Sequence, residues 1–489
     1  MRDDEIRRIL TDANPWWRAA ARGDDPIAWT ATHRLLRDRS RYDLGHRSTV
    51  LHDLATKSLE NALVILTGPR RVGKSVALLD LAVDLCGRDD VDPRQVIHLP
   101  CDGMRDRDLR RALTLGRELT RVVDRPVELR RVWLLDEVSV VPGWTSVLKP
   151  ARDGTSFGDD TVVVTGSKWL PGEDIEGNLL AGRAGSGEAR RVRHLLPLTF
   201  REFVTATRRE LALPAHVHPA YLQEPHVASD LEPLRFDVDA YDLAWQDYLT
   251  CGGFPRAVAE HTTNGDVSVA YMRDLLAWLH RDVDPDGAPE SLPLMLDRVA
   301  AQMTSPLSIR AAAEELSVGR ERATTRLNRL VSSFAALWCP QHGGDGRPLE
   351  GAQSKIYLVD PLLAQLPSRV RAGLASPGMT ALTEAAVAVA LARAIDDLDE
   401  GRWVAGDTIG YIRTGGGKEV DLGPVAVPTT SGSMTTVPLE AKWVDAGWRA
   451  EAQVVEKKYG RGILATKSIL SMEHPTWAVP APLLALLLN

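Results

Sequence analysis

Short apolar runs alternate with amphipathic stretches over the first two hundred residues of the chain. Four runs, at residues 63–66, 96–99, 132–135 and 162–164, have the length and apolar character of buried strands. After the first run, residues 74–85 place apolar side chains at helical spacing. Continuous apolar strands separated by helices are typical of a parallel sheet that is covered on both faces. The pattern therefore predicts an α/β domain in this part of the chain.

Helical patterns flank that region on both sides. Ile6, Ile9 and Leu10 share one face of a predicted helix near the start of the chain. After about residue 205, helical spacing dominates and the connections are polar. Residues 309–316 and 322–330 form two amphipathic stretches around a short turn, which predicts a helix-turn-helix.

The last hundred residues mix helix and strand patterns. Residues 384–395 predict a helix, residues 408–413 and 437–442 predict strands, and a further helix closes the chain. The glycine run at 415–417 and the polar stretch at 429–436 predict loops. This mixture indicates a second α/β region, separate from the first.

Composition narrows the class of protein. The 489 residues are 44% hydrophobic and 26% charged, with a net charge of −7, as in a folded protein without a generally basic surface. The four cysteines lie far apart and form no C-x-x-C pair, so neither a disulfide framework nor a zinc ribbon is expected. The first residues are charged, with no apolar leader, and the longest apolar runs fall far short of a membrane span. We therefore expect a cytoplasmic protein with no membrane partner.

The first apolar run ends in a glycine-rich loop of the form G-x-x-x-x-G-K-S. Its residues are Gly68, Pro69, Arg70, Arg71, Val72, Gly73, Lys74 and Ser75. Glycines let the backbone curl so that N–H groups point at phosphate oxygens, and the N-terminus of the following helix adds positive potential. We expect Lys74 to reach the β- and γ-phosphates of ATP and Ser75 to place its hydroxyl on Mg²⁺. The strand before the loop and the helix after it disfavour an ordinary glycine turn.

Two acidic residues follow the third apolar run. Asp136 is expected to hold Mg²⁺ through its water shell, and Glu137 to orient or activate the attacking water. Paired acids at a strand end also occur as solvated turns. The phosphate loop earlier in the chain favours the catalytic interpretation.

Two further residues are candidates for contact with the γ-phosphate. Ser167 follows the fourth apolar run, where a polar side chain can sense the phosphate, and Thr165 is an alternative for that role; a capped turn is the plainer interpretation. Arg183 is a candidate to stabilise transition-state charge, in its own subunit or in a neighbouring one. A surface salt bridge is an equally good interpretation of Arg183.

These pieces, in their order along the chain, resemble a group of prokaryotic AAA-type ATPases that carry a C-terminal domain of unknown function. The matching stretches are NPWW at 14–17, GPRRVGKS at 68–75, LLDE at 134–137, VTGSK at 164–168, LAGR at 180–183, LPLTFREF at 196–203, YL at 248–249 with GGFP at 252–255, and KIYLVDP at 355–361. Lys168 departs from the small polar residue usual in that group, which leaves the sensor assignment open.

The resemblance implies an additional-strand P-loop ATPase, a helical or winged-helix middle and a C-terminal domain similar to PD-(D/E)XK nucleases. It implies no particular biological role. We expect an α/β protein with five segments: a helical segment (1–48), the P-loop ATPase domain (49–205), a helical domain (206–300), a winged-helix-like domain (301–370) and an α/β restriction-endonuclease-like domain (371–489).

The C-terminal segment carries a D…E-x-K pattern. In E-x-K on a strand, Glu440 and Lys442 point to the same face because side chains alternate. Asp421 and Glu440 are then candidates to share a divalent metal, with Lys442 positioning the attacking water. Glu384 on the preceding helix is a further acid for this cluster, and Gln453 a weaker candidate. The alternatives are a buried ion-pair network that maintains the fold, or a nuclease relative that no longer cuts.

The predicted helix-turn-helix gives a second reason to consider nucleic acid as a partner. The second helix of the predicted helix-turn-helix carries Arg320, Arg322, Arg326 and Arg329, which are able to meet phosphates. Arginine-rich helix faces are more often solvated, so the pattern alone does not establish a DNA reader.

Three hypotheses of function follow. The first is an ATP hydrolase that uses its cycle to act through the C-terminal domain on nucleic acid. The second is a nucleotide-gated switch or scaffold, with partner proteins or copies of itself, in which hydrolysis is slow. The third is a metal-dependent nuclease that the ATPase regulates.

Overall fold

A computed structural model describes residues 1–56, 61–121, 130–167, 190–344 and 346–489. The chain divides into two compact units, Met1–Leu196 and Pro197–Asn489. The finer division into five segments stays a prediction. Within the described residues, no helix combines the length and the apolar character that crossing a membrane requires.

Unit 1 is built around one five-stranded sheet. Its strands run in the order β2-β3-β4-β1-β5, and every neighbouring pair is parallel. The strands are β1 Ala62–Thr67, β2 Val96–Pro100, β3 Val132–Asp136, β4 Thr161–Gly166 and β5 Val192–His194. The four apolar runs in the sequence are confirmed as β1 to β4, which occupy four consecutive positions in this order with β2 at one edge. The strand β5 was not predicted, because two of its three residues are polar and it pairs only at the sheet edge.

The helices of unit 1 connect and cover these strands. They are α1 Asp3–Ala13, α2 Pro15–Arg22, α3 Arg34–Arg39, α4 His52–Thr56, α5 Lys74–Cys86, α6 Asp106–Leu119 and α7 Trp144–Gly154. The helix predicted from residue 74 is α5, which follows β1 directly and keeps Leu78 and Leu81 in the core. Since parallel strands buried on both faces need helical crossovers, the pattern and the architecture agree.

The first two helices lie along the free edge of the sheet. The Asn14 side chain accepts a hydrogen bond from the His98 backbone N–H (2.6 Å) and donates to the His98 carbonyl (2.8 Å). The indole nitrogens of Trp16 and Trp17 both donate to the carbonyl oxygen of Val96 at 2.9 Å. The N-P-W-W stretch therefore attaches this helical segment to the outer side of β2.

Unit 2 is mainly helical in its first half and mixed in its second. Its helices are α8 Phe200–Thr207, α9 Pro225–Leu231, α10 Val238–Cys251, α11 Pro255–Asn264, α12 Val269–Val283, α13 Ser291–Ala301, α14 Ile309–Glu315, α15 Arg320–Ser332, α16 Pro361–Val370, α17 Met379–Leu398, α18 Arg402–Ala405, α19 Trp448–Tyr459 and α20 Ala481–Leu488. The two helices predicted around residue 318 are confirmed as α14 and α15.

The strands of unit 2 are short and form several small sheets. They are β6 Ala336–Cys339, β7 Gln341–His342, β8 Lys355–Leu358, β9 Tyr411–Arg413, β10 Glu419–Val420, β11 Ala426–Thr429, β12 Gly432–Thr435, β13 Leu439–Ala441, β14 Gly462–Thr466 and β15 Thr476–Pro480. The sets are β10-β9-β7, β13-β14-β15, and the pairs β6-β8 and β11-β12. A bridge between Leu422 and Leu439 joins β10 to β13.

One sequence expectation in this region is wrong. Residues 429–436 were expected to be a loop, yet β12 pairs with β11 as an antiparallel hairpin. The stretch is polar because it is largely exposed, so it lacks the apolar alternation by which a half-buried strand is recognised. The glycine run at 415–417 is a turn, as expected.

Three of the motifs that carry the family resemblance, those containing Leu198, Gly253 and Asp360, contact one another in unit 2. The Gly253 N–H donates to Asp360 Oδ2 at 2.6 Å, and the Leu198 N–H donates to the Gly253 carbonyl at 2.7 Å. A Cβ on Gly253 would lie 2.2 Å from the Leu198 carbonyl oxygen, so a side chain has no room there. Burial raises the pKa of Asp360 to about 6. These three motifs fix one another, which accounts for them without a catalytic role.

Candidate functional site

The phosphate loop occupies the turn between β1 and α5. Gly68 has a φ of 149°, and a Cβ at this position would lie 1.9 Å from the Leu195 carbonyl oxygen. Arg71 and Gly73 also have positive φ angles, so the backbone curls repeatedly before α5 begins at Lys74. Such a curl aims consecutive N–H groups at one point, as a phosphate cradle requires. The loop predicted from the sequence therefore has a curled backbone that leads directly into the N-terminus of α5.

Lys74 lies inside this curl. Its side chain is 4% exposed, and its Nζ donates to the carbonyl oxygens of Gly68 and Pro69 at 2.9 Å each. The Nζ also lies 3.9 Å from Glu137 Oε1. The lysine is thus directed at the loop's own interior, next to the acidic strand end.

The two acids follow β3 at the same sheet edge. Asp136 ends β3, and Glu137 has a φ of 52°, which turns the chain sharply after the strand. The Thr165 hydroxyl donates to Asp136 Oδ1 at 2.8 Å and accepts the Glu137 N–H at 2.7 Å. Because Thr165 is buried, this single hydroxyl fixes both acids relative to β4.

The Ser167 hydroxyl donates to Glu137 Oε2 at 3.2 Å. The structure therefore brings together Lys74, Asp136, Glu137 and Ser167, which the sequence analysis had selected as separate motifs. Ser75 lies in the first turn of α5. Arg183 and Lys168 lie outside the described residues, so the roles suggested for them stay predictions.

His98 was not selected from the sequence. Its Nε2 is buried and lies 4.0 Å from Asp136 Oδ2, and burial lowers the pKa of its imidazole against the opposing effect of Asp136. The lowered pKa favours the neutral form of this imidazole. The only signal in the sequence was a polar residue inside an otherwise apolar strand.

The C-terminal carboxylates also converge. Lys442 Nζ lies 2.8 Å from Glu440 Oε1 and 3.7 Å from Asp421 Oδ2. The Asp421 N–H donates to Glu440 Oε2, and the Ala441 N–H donates to Asp421 Oδ2, both at 3.1 Å. Glu384 belongs to the same cluster, since it shares a partner with Asp421.

That shared partner is Lys355, for which the sequence alone predicts no such role. Its Nζ lies 3.0 Å from Asp421 Oδ1 and 3.1 Å from Glu384 Oε1. Burial and Asp421 raise the pKa of Glu384 to about 7, and burial and Asp421 likewise raise that of Glu440 to about 7. Burial would also raise the pKa of Asp421, but Lys355 and Lys442 outweigh it and hold that pKa below its usual value. The available signal was a lysine opening the apolar strand K-I-Y-L.

The arginines of α15 do not present one free basic face. Arg326 is buried and forms an ion pair with Asp284, whose other oxygen lies 3.6 Å from Arg322. Arg329 donates to the Val283 carbonyl oxygen. These three side chains therefore serve the packing of α15 against the end of α12, which weakens the expectation that this helix reads DNA.

Family profiles match two parts of the chain. Residues 60–204 match the profile described as AAA domain. This region is similar to AAA domains. Residues 242–371 match a domain of unknown function, which assigns no activity to unit 2. The curated proteins include none that matches the chain.

Three solved structures show a distant likeness to this chain. The Walker-type ATPase of Pyrococcus abyssi is 15% identical, with a TM-score of 0.36, over 62% of this chain and 90% of that one. The RuvB protein of Thermotoga maritima is 16% identical, with a TM-score of 0.27, over 69% and 89%. A DNA polymerase III gamma-subunit-related protein of Thermotoga maritima is 12% identical, with a TM-score of 0.25, over 58% and 98%. Scores of this size do not establish a shared overall arrangement.

Proposed function

We propose that unit 1 binds ATP with Mg²⁺ and hydrolyses it at the loop of residues 68–75. The observation that carries the proposal is the position of Lys74, whose ammonium lies in the curled loop at the N-terminus of α5, 3.9 Å from Glu137. The two carbonyl oxygens that it contacts are neutral acceptors. Phosphate oxygens make stronger, charge-assisted hydrogen bonds with an ammonium, so they replace such partners readily.

Each residue has a role that its position supports. Lys74 and the loop N–H groups bind the β- and γ-phosphates, while Ser75 and Asp136 hold Mg²⁺ directly or through water. Mg²⁺ supplies charge neutralisation on the phosphate oxygens. Glu137 orients the attacking water, and Ser167 senses the γ-phosphate; the hydrogen bond between Ser167 and Glu137 supports this pairing of roles.

We infer the architecture of unit 2 from the order of its helices and strands. The two helices α14 and α15 and the antiparallel pair β6-β8 resemble a winged helix. The order α17, β9, β10, β13, α19, β14, with acids on α17, after β10 and on β13, resembles a PD-(D/E)XK nuclease core. We do not extend the proposal to cleavage of nucleic acid, because Lys355 lies between two of the carboxylates.

The first test is ATP turnover by the purified chain with Mg²⁺, measured as phosphate release with and without DNA. We expect turnover in the wild type and a loss of at least about 100-fold in Lys74→Ala, since one preorganised charge contact contributes about that much. Lys149→Ala, which changes an exposed lysine of the same unit, is the matched control and should keep full activity.

Nucleotide binding, measured in parallel with a fluorescent ATP analogue, separates the alternatives. Tight binding without turnover favours a nucleotide-gated switch or scaffold over a hydrolase. An absence of both binding and turnover in the folded wild type contradicts the proposal.

A further inference from the structure

The carboxylate cluster of unit 2 contains a cation that belongs to the chain. Lys355 opens β8 and is completely buried, with 0% of its side chain exposed. Its Nζ contacts Glu384 and Asp421 at 3.1 and 3.0 Å and lies 3.6 Å from Glu419 Oε2. The ring of Tyr411 lies 5.5 Å from the same ammonium, within the range of a cation–π contact. Three carboxylates and one aromatic ring therefore lie around this ammonium.

The carboxylates are satisfied by the protein itself. Glu384 Oε1 also accepts the Tyr357 hydroxyl at 2.7 Å, and Glu440 pairs with Lys442. Both oxygens of Asp421 are in use, one on Lys355 and the other on the Ala441 N–H. Buried charges persist only where such partners compensate the loss of hydration. Two lysines against three buried acids provide most of that compensation.

A divalent metal does not fit this arrangement. Mg²⁺ requires oxygen ligands at about 2.0–2.1 Å in octahedral geometry. Lys355 contacts Asp421 Oδ1 and Glu384 Oε1, so a metal ion bound to either oxygen would lie next to an ammonium that repels it. Among the described residues, no group of three or more His, Cys, Asp or Glu side chains is arranged to hold a metal ion.

We propose that Lys355 is a built-in cation that takes the place of a divalent metal among Glu384, Asp421 and Glu440, so that unit 2 has no metal-dependent nuclease activity. The lysine comes from β8, which pairs antiparallel with β6, and not from the C-terminal strands that carry the D…E-x-K pattern. The cluster therefore attaches β8 to α17, β10 and β13. The cluster stabilises the packing of these elements. Lys442, which would position the attacking water in a nuclease, instead forms an ion pair with Glu440.

The test measures Mn²⁺ binding to the full chain by calorimetry. The background carries Asp136→Asn and no nucleotide, so that the site in unit 1 does not contribute. With Lys355 present, we expect Mn²⁺ binding to be the same with and without Asp421→Asn. One Mn²⁺ per chain that disappears in Asp421→Asn would overturn the proposal.

The second variant removes the internal cation. Lys355→Met is expected to gain one Mn²⁺ site and a higher thermal midpoint with Mn²⁺, whereas Lys418→Met, an exposed neighbour, is expected to gain neither. A folded Lys355→Met chain that binds no Mn²⁺ contradicts the proposal. If Lys355→Met does not fold without metal, the measurement with Lys355 present decides alone.

Plasmid cleavage with Mn²⁺ provides an independent readout. The wild type should cut no faster than Asp421→Ala and Lys442→Ala. Cleavage that both substitutions abolish would restore the nuclease hypothesis and overturn the assignment of Lys355.

Discussion

The two polar centres of this protein treat a buried lysine in opposite ways. In unit 1, Lys74 contacts backbone carbonyl oxygens of its own loop, and the carboxylate of Glu137 lies 3.9 Å away. In unit 2, Lys355 contacts two carboxylates at 3.0–3.1 Å, with a third at 3.6 Å. The same functional group donates to neutral carbonyl oxygens with a carboxylate at 3.9 Å in one centre, and contacts carboxylates directly in the other.

The difference teaches which centre is able to exchange its partners. An anionic ligand improves on neutral carbonyl acceptors, so the loop at residues 68–75 gains by binding phosphate. The Lys355 cluster gains less from a further cation, because two lysines already compensate most of the charge on its three buried acids. Convergence of catalytic residue types is therefore a weak guide to activity unless the charge balance leaves room for a ligand.

The largest expected effect is a loss of ATP turnover on changing Glu137 in unit 1. Replacing Glu137 by Gln removes the group that orients water and should lower ATP turnover by about 10²–10⁴-fold, with nucleotide binding retained. Glu118→Gln, an exposed acid on α6, is the control in the same phosphate-release assay. Wild-type turnover in Glu137→Gln would remove Glu137 from the mechanism.

The next effect concerns stability in unit 2. Lys355→Met leaves buried acids uncompensated and should lower the free energy of unfolding by about 3–5 kcal/mol. Lys442→Met should cost less, since 32% of that side chain is exposed. Calorimetric unfolding of both variants checks the order, and an equal or reversed cost would show that burial does not set the difference.

A smaller effect is expected from the hydroxyl of Thr165, which contacts both acids in unit 1. Thr165→Val keeps the shape of the side chain but leaves the Glu137 N–H and Asp136 without their shared hydroxyl. We expect kcat to fall about tenfold, the equivalent of one buried hydrogen bond, while nucleotide affinity stays unchanged. Thr165→Ser should restore the rate; a Val variant with the wild-type kcat would assign Thr165 to packing alone.

The smallest effect is an opposite response of the two units to pH. Burial, with Arg190, lowers the pKa of His194 in unit 1 to about 3 from 6.5. Its contribution to stability is therefore complete above about pH 6.5 and is lost as the pH falls. Burial raises the pKa of Asp360 in unit 2 to about 6 from 3.8, so its contribution falls as the pH rises through that interval. Each changes by up to about 1.4 kcal/mol per pH unit.

Thermal midpoints between pH 4 and 7 measure this response. Compared with the wild type, His194→Asn should lose less stability on acidification, and Asp360→Asn should lose less as the pH rises from 4 to 6. Slopes identical to the wild type in both variants would mean that other groups control the pH dependence.

The sequence was informative where the site is local. The phosphate loop consists of eight consecutive residues between a strand and a helix. Asp136 and Glu137 lie at the end of another apolar strand, β3. Parallel strands place such ends at one edge, so the sheet in unit 1 and its site were predictable from pattern.

The sequence was less informative where partners are distant. Lys355 is separated from Asp421 by 66 positions, and no periodicity links a lysine at the start of β8 to an acid after β10. The short strands of unit 2 are difficult to predict for the same reason. They depend on pairing between distant parts of the chain, as in β14, which pairs with both β13 and β15. Contacts of this kind depend on tertiary packing, which overrides local preference.

The helical segment along β2 has a consequence for association between molecules. An open strand edge is a template on which a strand of another chain can add. On β2, Asn14 uses the N–H and carbonyl of His98, the two tryptophans use the carbonyl of Val96, and the strand ends in Pro100, which has no N–H to offer. The Val96 N–H is turned back to Pro93. This side of the sheet is closed to β-augmentation, so assembly through strand addition has no template there.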